Sequence, residues 1–102
     1  MSTGAFACNV RAFDDGERAA YRELTAKLMV AREEMRELED GYEFRLREGE
    51  VSLADVAIWV GYERRCCPFF RFEIGVEEGS LVLRLRGNEG VKAFIRAEFP
   101  VD

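Results

Sequence analysis

The chain has 102 residues, 48% hydrophobic and 34% charged, with a net charge of −5. That size suits one domain (1–102) around one core, and the apolar share is too high for a disordered chain. The negative balance argues against nucleic acid as a partner, because nonspecific binding rests on many Lys and Arg contacts to phosphate, and no apolar run approaches the roughly 20 residues of a membrane span.

Residues 5–13, "AFACNVRAF", alternate apolar and polar positions and predict a half-buried strand with Cys8 facing inward beside Phe6 and Val10. In "DDGERAAYRELTAKLMVAREEMRELED", Asp14 or Asp15 can cap a helix whose Tyr21, Leu24, Leu28, Ala31, Met35 and Leu38 recur every three or four residues. The spacing predicts one long helix ending at Asp40-Gly41, with its stripe packed on the sheet or, alternatively, serving as a homodimer seam through Leu24, Leu28 and Met35. "YEFRLR" (42–47) reads as a strand with Tyr42, Phe44 and Leu46 inward.

Ser52 and Asp55 form a capping-box pattern for a second helix from Leu53, which Pro68 stops. Laid out at about 100° per residue, Leu53, Val56, Ala57 and Val60 make its apolar stripe. "FFRFEIGV" and "LVLRLR" flank "EEGS" and predict a hairpin that sets Val76 opposite Leu81, Ile74 opposite Leu83, Phe72 opposite Leu85 and Glu73 opposite Arg84. Asn88 is a natural cap for a last helix carrying Val91, Phe94 and Ile95 inward, and Pro100 closes the chain. The order β-α-β-α-β-β-α predicts an α+β fold, a small mixed or antiparallel sheet with helices mainly on one face.

The candidate site is "GYERRCCPFF" (61–70). Helical geometry places Trp59, Glu63, Cys66 and Cys67 on one side of the second helix's end. Histidine is missing altogether, which removes Cys-His nucleophiles and histidine-containing zinc sites. A helix C-terminus and burial both raise a thiol pKa, so a reactive thiolate is not expected. A disulfide between the adjacent pair would need a strained ring. Three readings remain: buried core sulfur, a soft-ion site and a redox switch. The second needs a further donor, Glu63 or Cys8, and takes as cofactor a soft metal ion such as zinc. Arg64, Arg65 and Arg71 around the pair offer a surface charge cluster or a place for a small anion.

The segment Glu63-Arg64-Arg65-Cys66-Cys67-Pro68-Phe69, with Cys8-Asn9, "DGYEFRL" and "GNEGVKAFI", resembles a family of small uncharacterised bacterial proteins marked by an ExxCCPF motif. The resemblance covers most of the chain. It implies a bacterial cytosolic single domain and carries no activity. The N-terminus lacks the basic and apolar regions of a secretory leader, so a cytoplasmic protein with its three cysteines reduced is expected. The function expected is binding of a soft metal, metalloid or thiol-reactive ligand at Cys66 and Cys67 with Glu63 and Cys8. The alternative is a non-catalytic interaction or homodimerisation module, docking through the first helix or an exposed sheet edge, with the cysteines structural.

Overall fold

The computed structural model describes residues 12–99. The strand expected over 5–13 falls almost entirely outside them, as do Cys8 and Pro100. The described residues form α1 (Asp15–Ala31), β1 (Arg32–Leu38), β2 (Gly41–Arg47), α2 (Leu53–Cys66), β3 (Arg71–Glu77), β4 (Ser80–Arg86) and α3 (Val91–Glu98). The four strands make one antiparallel sheet in the order β1-β2-β4-β3. This is the expected α+β class, an open antiparallel sheet with helices on one side.

Local chemistry starts the helices. Asp14 accepts a hydrogen bond from the Glu17 amide at 2.8 Å while Glu17 accepts one from the Asp14 amide at 3.0 Å, a reciprocal cap. Ser52 and Asp55 do the same for α2 at 3.0 and 3.1 Å, as their spacing predicts. For α3 the expected Asn88 cap gives way to Gly90, which takes a left-handed φ of 98° and makes no side-chain cap bond. Val91, Phe94 and Ile95 still point into the core.

The largest correction concerns the helix expected to run to Leu38. It stops at Ala31, and Arg32–Leu38 turns back through Glu39-Asp40 to pair with β2, Met35 opposite Phe44 and Leu38 opposite Gly41. Met35 and Leu38 lie at helical spacing from Leu28, yet the same segment satisfies the unpaired edge of β2, and that tertiary pairing overrides a helix-forming composition. The continuous seam through Leu24, Leu28 and Met35 is therefore not formed. Leu28 is 1% exposed inside its own core, Leu24 packs partly buried against that core, and Met35 sits on a strand.

The core lies between the helices and one face of the sheet. Tyr42, Phe44 and Leu46 of β2 stand beside Leu85, Leu83 and Leu81 of β4, and Phe72, Ile74 and Val76 of β3 extend the same face. The hairpin register is the predicted one at every pair. α1 and α2 pack antiparallel, since their bonds run in opposite order: Arg65 to Glu17, Tyr21 to Glu63, Trp59 to Thr25 and Lys27 to Asp55. Phe99, the residue after α3, stacks edge-on against both Phe44 and Trp59 and closes the core under α2.

Candidate functional site

α2 buries Val56, Trp59, Glu63 and Cys66. Leu53 and Ala57, expected on its apolar stripe, are exposed, so the helix is rotated toward α1 by roughly one residue's turn. The rotation carries Glu63 into the core, where it is 1% exposed. Its carboxylate Oε2 accepts a 2.7 Å hydrogen bond from the Tyr21 hydroxyl of α1. One turn earlier the Trp59 Nε1–H donates to Thr25 Oγ1 at 2.9 Å, and Thr25 donates to the Tyr21 carbonyl at 2.8 Å. The polar groups of this helix pair thus form one connected strip that fixes the Glu63 carboxylate in place.

The helix end brings the sulfurs to it. The Cys67 amide donates to the Glu63 carbonyl at 2.7 Å, and Cys67 itself leaves helical geometry at φ −132°, ψ 68°. Pro68 enforces that exit, because it has no amide to donate and disfavours a helical residue before it. In a continuing helix adjacent side chains diverge by about 100°. The non-helical cap turns Cys67 back instead, and the two Sγ atoms lie 3.6 Å apart. One carboxylate oxygen of Glu63 and both sulfurs fall within 4.8 Å of one another. Both cysteines are fully buried.

Burial dominates the electrostatics. It lifts the Glu63 carboxyl from 4.5 to about 7; the Tyr21 hydrogen bond opposes the rise and the Glu98 carboxylate adds to it. The Cys66 thiol is pushed up to about 12, again chiefly by burial and then by the neighbouring Glu63 charge. The Tyr21 hydroxyl rises too, through burial followed by the Glu63 charge. Three ionisable groups in one dry spot therefore all disfavour their anionic forms. Cys66 is a protonated thiol at neutral pH, unsuited to nucleophilic attack.

Cys66 carries a thiol, whereas Cys67 is disulfide-bonded. This corrects the expectation that every cysteine is reduced. Glu63, Cys66 and Cys67 are the only group of three or more candidate metal donors among the described residues. Cys8 is not described, so its place as a further donor lies outside the structure.

The arginines are engaged elsewhere. Arg65 holds Glu17 at 2.8 Å, donates to the Ala12 carbonyl at 2.9 Å and lies over the Phe13 ring. Arg71 pairs with Asp40 at 2.7 Å. Arg64 is exposed on the far side of the helix end. The three do not converge on the sulfurs, and two of them already hold carboxylates or carbonyls where an anion would sit.

A groove of about 350 Å³ lined by Tyr21, Arg22, Thr25, Ala26, Glu98 and Phe99 opens over the polar strip. Tyr21 and Thr25 of the strip line it, whereas Glu63 does not. Sequence reasoning missed Tyr21 and Thr25 as members of the site, since Tyr21 falls on a helix stripe that reads as core and Thr25 lies off that stripe. Nothing in the spacing of α1 says that it crosses α2 at Glu63. Comparison of the chain with protein-family models, with curated proteins and with solved structures finds no match in any of the three. Among the described residues no helix is long and apolar enough to cross a membrane.

Proposed function

We propose that the protein binds a soft metal or metalloid ion at Cys66, Cys67 and Glu63, in the state where the Cys67 disulfide is reduced. The observation that carries this reading is that two sulfurs and one carboxylate oxygen, all on buried residues, lie within 4.8 Å of one another. Thiolates select soft ions. The 3.6 Å gap between the sulfurs suits a shared ion, since two bonds of about 2.3 Å then enclose an angle of about 100°, near tetrahedral.

The charges support the same reading. The site holds groups that resist ionisation chiefly because burial removes the solvent around their negative charges, with repulsion from neighbouring carboxylates adding to it. A cation inverts that balance, stabilising thiolate and carboxylate together and releasing protons as it binds. Three donors fall one short of the closed four-coordinate shell of structural zinc. The described set therefore favours a three-coordinate soft ion, or an ion that keeps one open position for a further ligand. Tyr21 orients the carboxylate from behind, as outer hydrogen bonds commonly do for metal ligands.

The test uses the whole chain, with and without prior reduction by a dithiol, titrated with Cd²⁺ and separately with a trivalent arsenical. The reduced protein retains one equivalent by native mass spectrometry and changes the emission of Trp59, the chain's single tryptophan. The oxidised protein and a Cys66→Ala/Cys67→Ala variant do neither. Failure of the reduced wild type to retain either probe, or equal retention by the double variant, overturns the reading.

A further inference from the structure

The two edges of the sheet are built differently. β1, at one edge, is broken by a register shift between Arg32 and Glu34 and has the charged sequence REEMREL. Bulges and charges are the devices that keep an edge strand from pairing with another chain. β3, at the opposite edge, has neither bulge nor proline and keeps an unbroken register with β4. Among the described residues no strand lies on its outer side. Its Ile74 and Val76 are 37% and 57% exposed, although they share the sheet face that carries the core.

The direction of its unused backbone groups follows from the turn. Glu78 and Gly79 both have positive φ, 48° and 80°, a two-residue loop that closes on Glu77 opposite Ser80. Such loops close on a hydrogen-bonded pair, and those pairs recur at every second residue. Arg71, Glu73, Gly75 and Glu77 therefore bond to β4, while the amides and carbonyls of Phe72, Ile74 and Val76 point outward.

We propose that this edge pairs with the same edge of a second copy of the chain, antiparallel, about a twofold axis at Ile74. The sequence "RFEIGVE" is self-complementary in that register. Arg71 falls opposite Glu77 on both sides of the axis, Phe72 opposite Val76, Glu73 opposite Gly75, and Ile74 opposite its own copy. Moving the axis to Glu73 sets two glutamates face to face, and moving it to Gly75 sets Glu73 against Glu77. Like charges directly opposite are unfavourable. Centring on Phe72 or Val76 shortens the overlap. The Ile74 register is the one that brings outward groups together over the whole strand with only opposite charges facing, and the interface is isologous, as a twofold requires. Seven-residue strands cover less than a standard interface, so the dimer is a weak, concentration-dependent one. This inference is independent of the metal reading.

Sedimentation equilibrium over a wide concentration range, paired with amide hydrogen exchange on the same samples, tests it. As dimer forms, the amides of Phe72, Ile74 and Val76 gain protection, while those of Glu73 and Gly75, already bonded to β4, do not change. Ile74→Lys, which places two ammonium groups across the axis, raises the dimer dissociation constant by about tenfold or more. The circular dichroism of that variant matches wild type, because Ile74 is partly exposed. Arg71→Glu weakens the dimer in the same direction. A monomer at every concentration, a dimer whose three outward amides stay unprotected, or a dimer indifferent to Ile74→Lys each overturn the proposal.

Discussion

A carboxyl group that is 1% exposed and bonded to a tyrosine hydroxyl has little water to share its charge, and this governs how Glu63 responds to pH. Its pKa rises from 4.5 to about 7 on folding. Between those values the folded chain holds a proton that the unfolded chain has released, so this group's contribution to stability falls as pH rises through that window and is level above it. The paired carboxylates Glu17, Asp40, Asp55 and Glu77, all held low by neighbouring cations or amides, act in the opposite sense at lower pH. Glu63→Gln separates the two. At about pH 5 the variant and wild type are close, because both present a neutral side chain, and by about pH 8 the variant gains about 2–3 kcal/mol relative to wild type. Urea unfolding at a series of pH values measures it, and two parallel stability curves would mean that Glu63 ionises in the folded protein as readily as in water.

At the scale of elements, the sheet is assembled by two hairpins laid side by side, and one glycine lets them meet. A Cβ on Gly41 would lie 1.8 Å from the Leu85 carbonyl oxygen, a backbone atom that cannot move without breaking the β2–β4 ladder. Gly75, by contrast, has nothing within 4 Å of the corresponding position. Gly41→Ala costs about 3 kcal/mol or more or prevents folding, while Gly75→Ala is within about 0.5 kcal/mol of wild type. Denaturant midpoints of the two variants decide this, and similar values for both would remove the close approach as a constraint. Which elements were legible follows the same division between local and distant causes. The β3–β4 register, a cap at Asp14 or Asp15, the capping box at Ser52 and the stop at Pro68 are set by neighbours in sequence and were readable there. The end of α1 at Ala31 was not, because "REEMREL" becomes a strand only when β2 offers it an edge. Cys66, Cys67 and Glu63 could be grouped from helical spacing alone. The burial of Glu63 could not, since it depends on Tyr21 arriving from another helix.

Seen whole, the described residues cover the sheet on one face with helices and line the other largely with charged side chains. On that outer face Glu43 of β2 is only 4% exposed. Arg84 holds one of its oxygens at 2.9 Å, and the other oxygen, which has no hydrogen bond, faces Arg45 at 3.7 Å and Arg36 at 3.8 Å. The lattice continues outward through Glu77, which binds Arg45 and Arg84, and through Glu73 and Asp40, which bind Arg86. Val82, paired with Arg45 across the β2–β4 ladder on this face, is fully buried. Ion pairs at a protein surface usually contribute little. Glu43 differs because three guanidinium groups converge on it beneath their own side chains. Glu43→Gln removes the charge that holds them together and leaves mutual repulsion in a partly desolvated place, a loss of about 2 kcal/mol. Glu73→Gln, at the half-exposed rim, costs under about 1 kcal/mol. Added salt narrows the difference between the two variants, because it screens the rim pairs and the uncompensated guanidinium groups alike. Urea unfolding of both variants at low and high ionic strength measures these effects. Equal losses for the two would reduce the outer face to a set of independent surface pairs, with Val82 shielded by side-chain packing rather than by a lattice centred on one buried carboxylate.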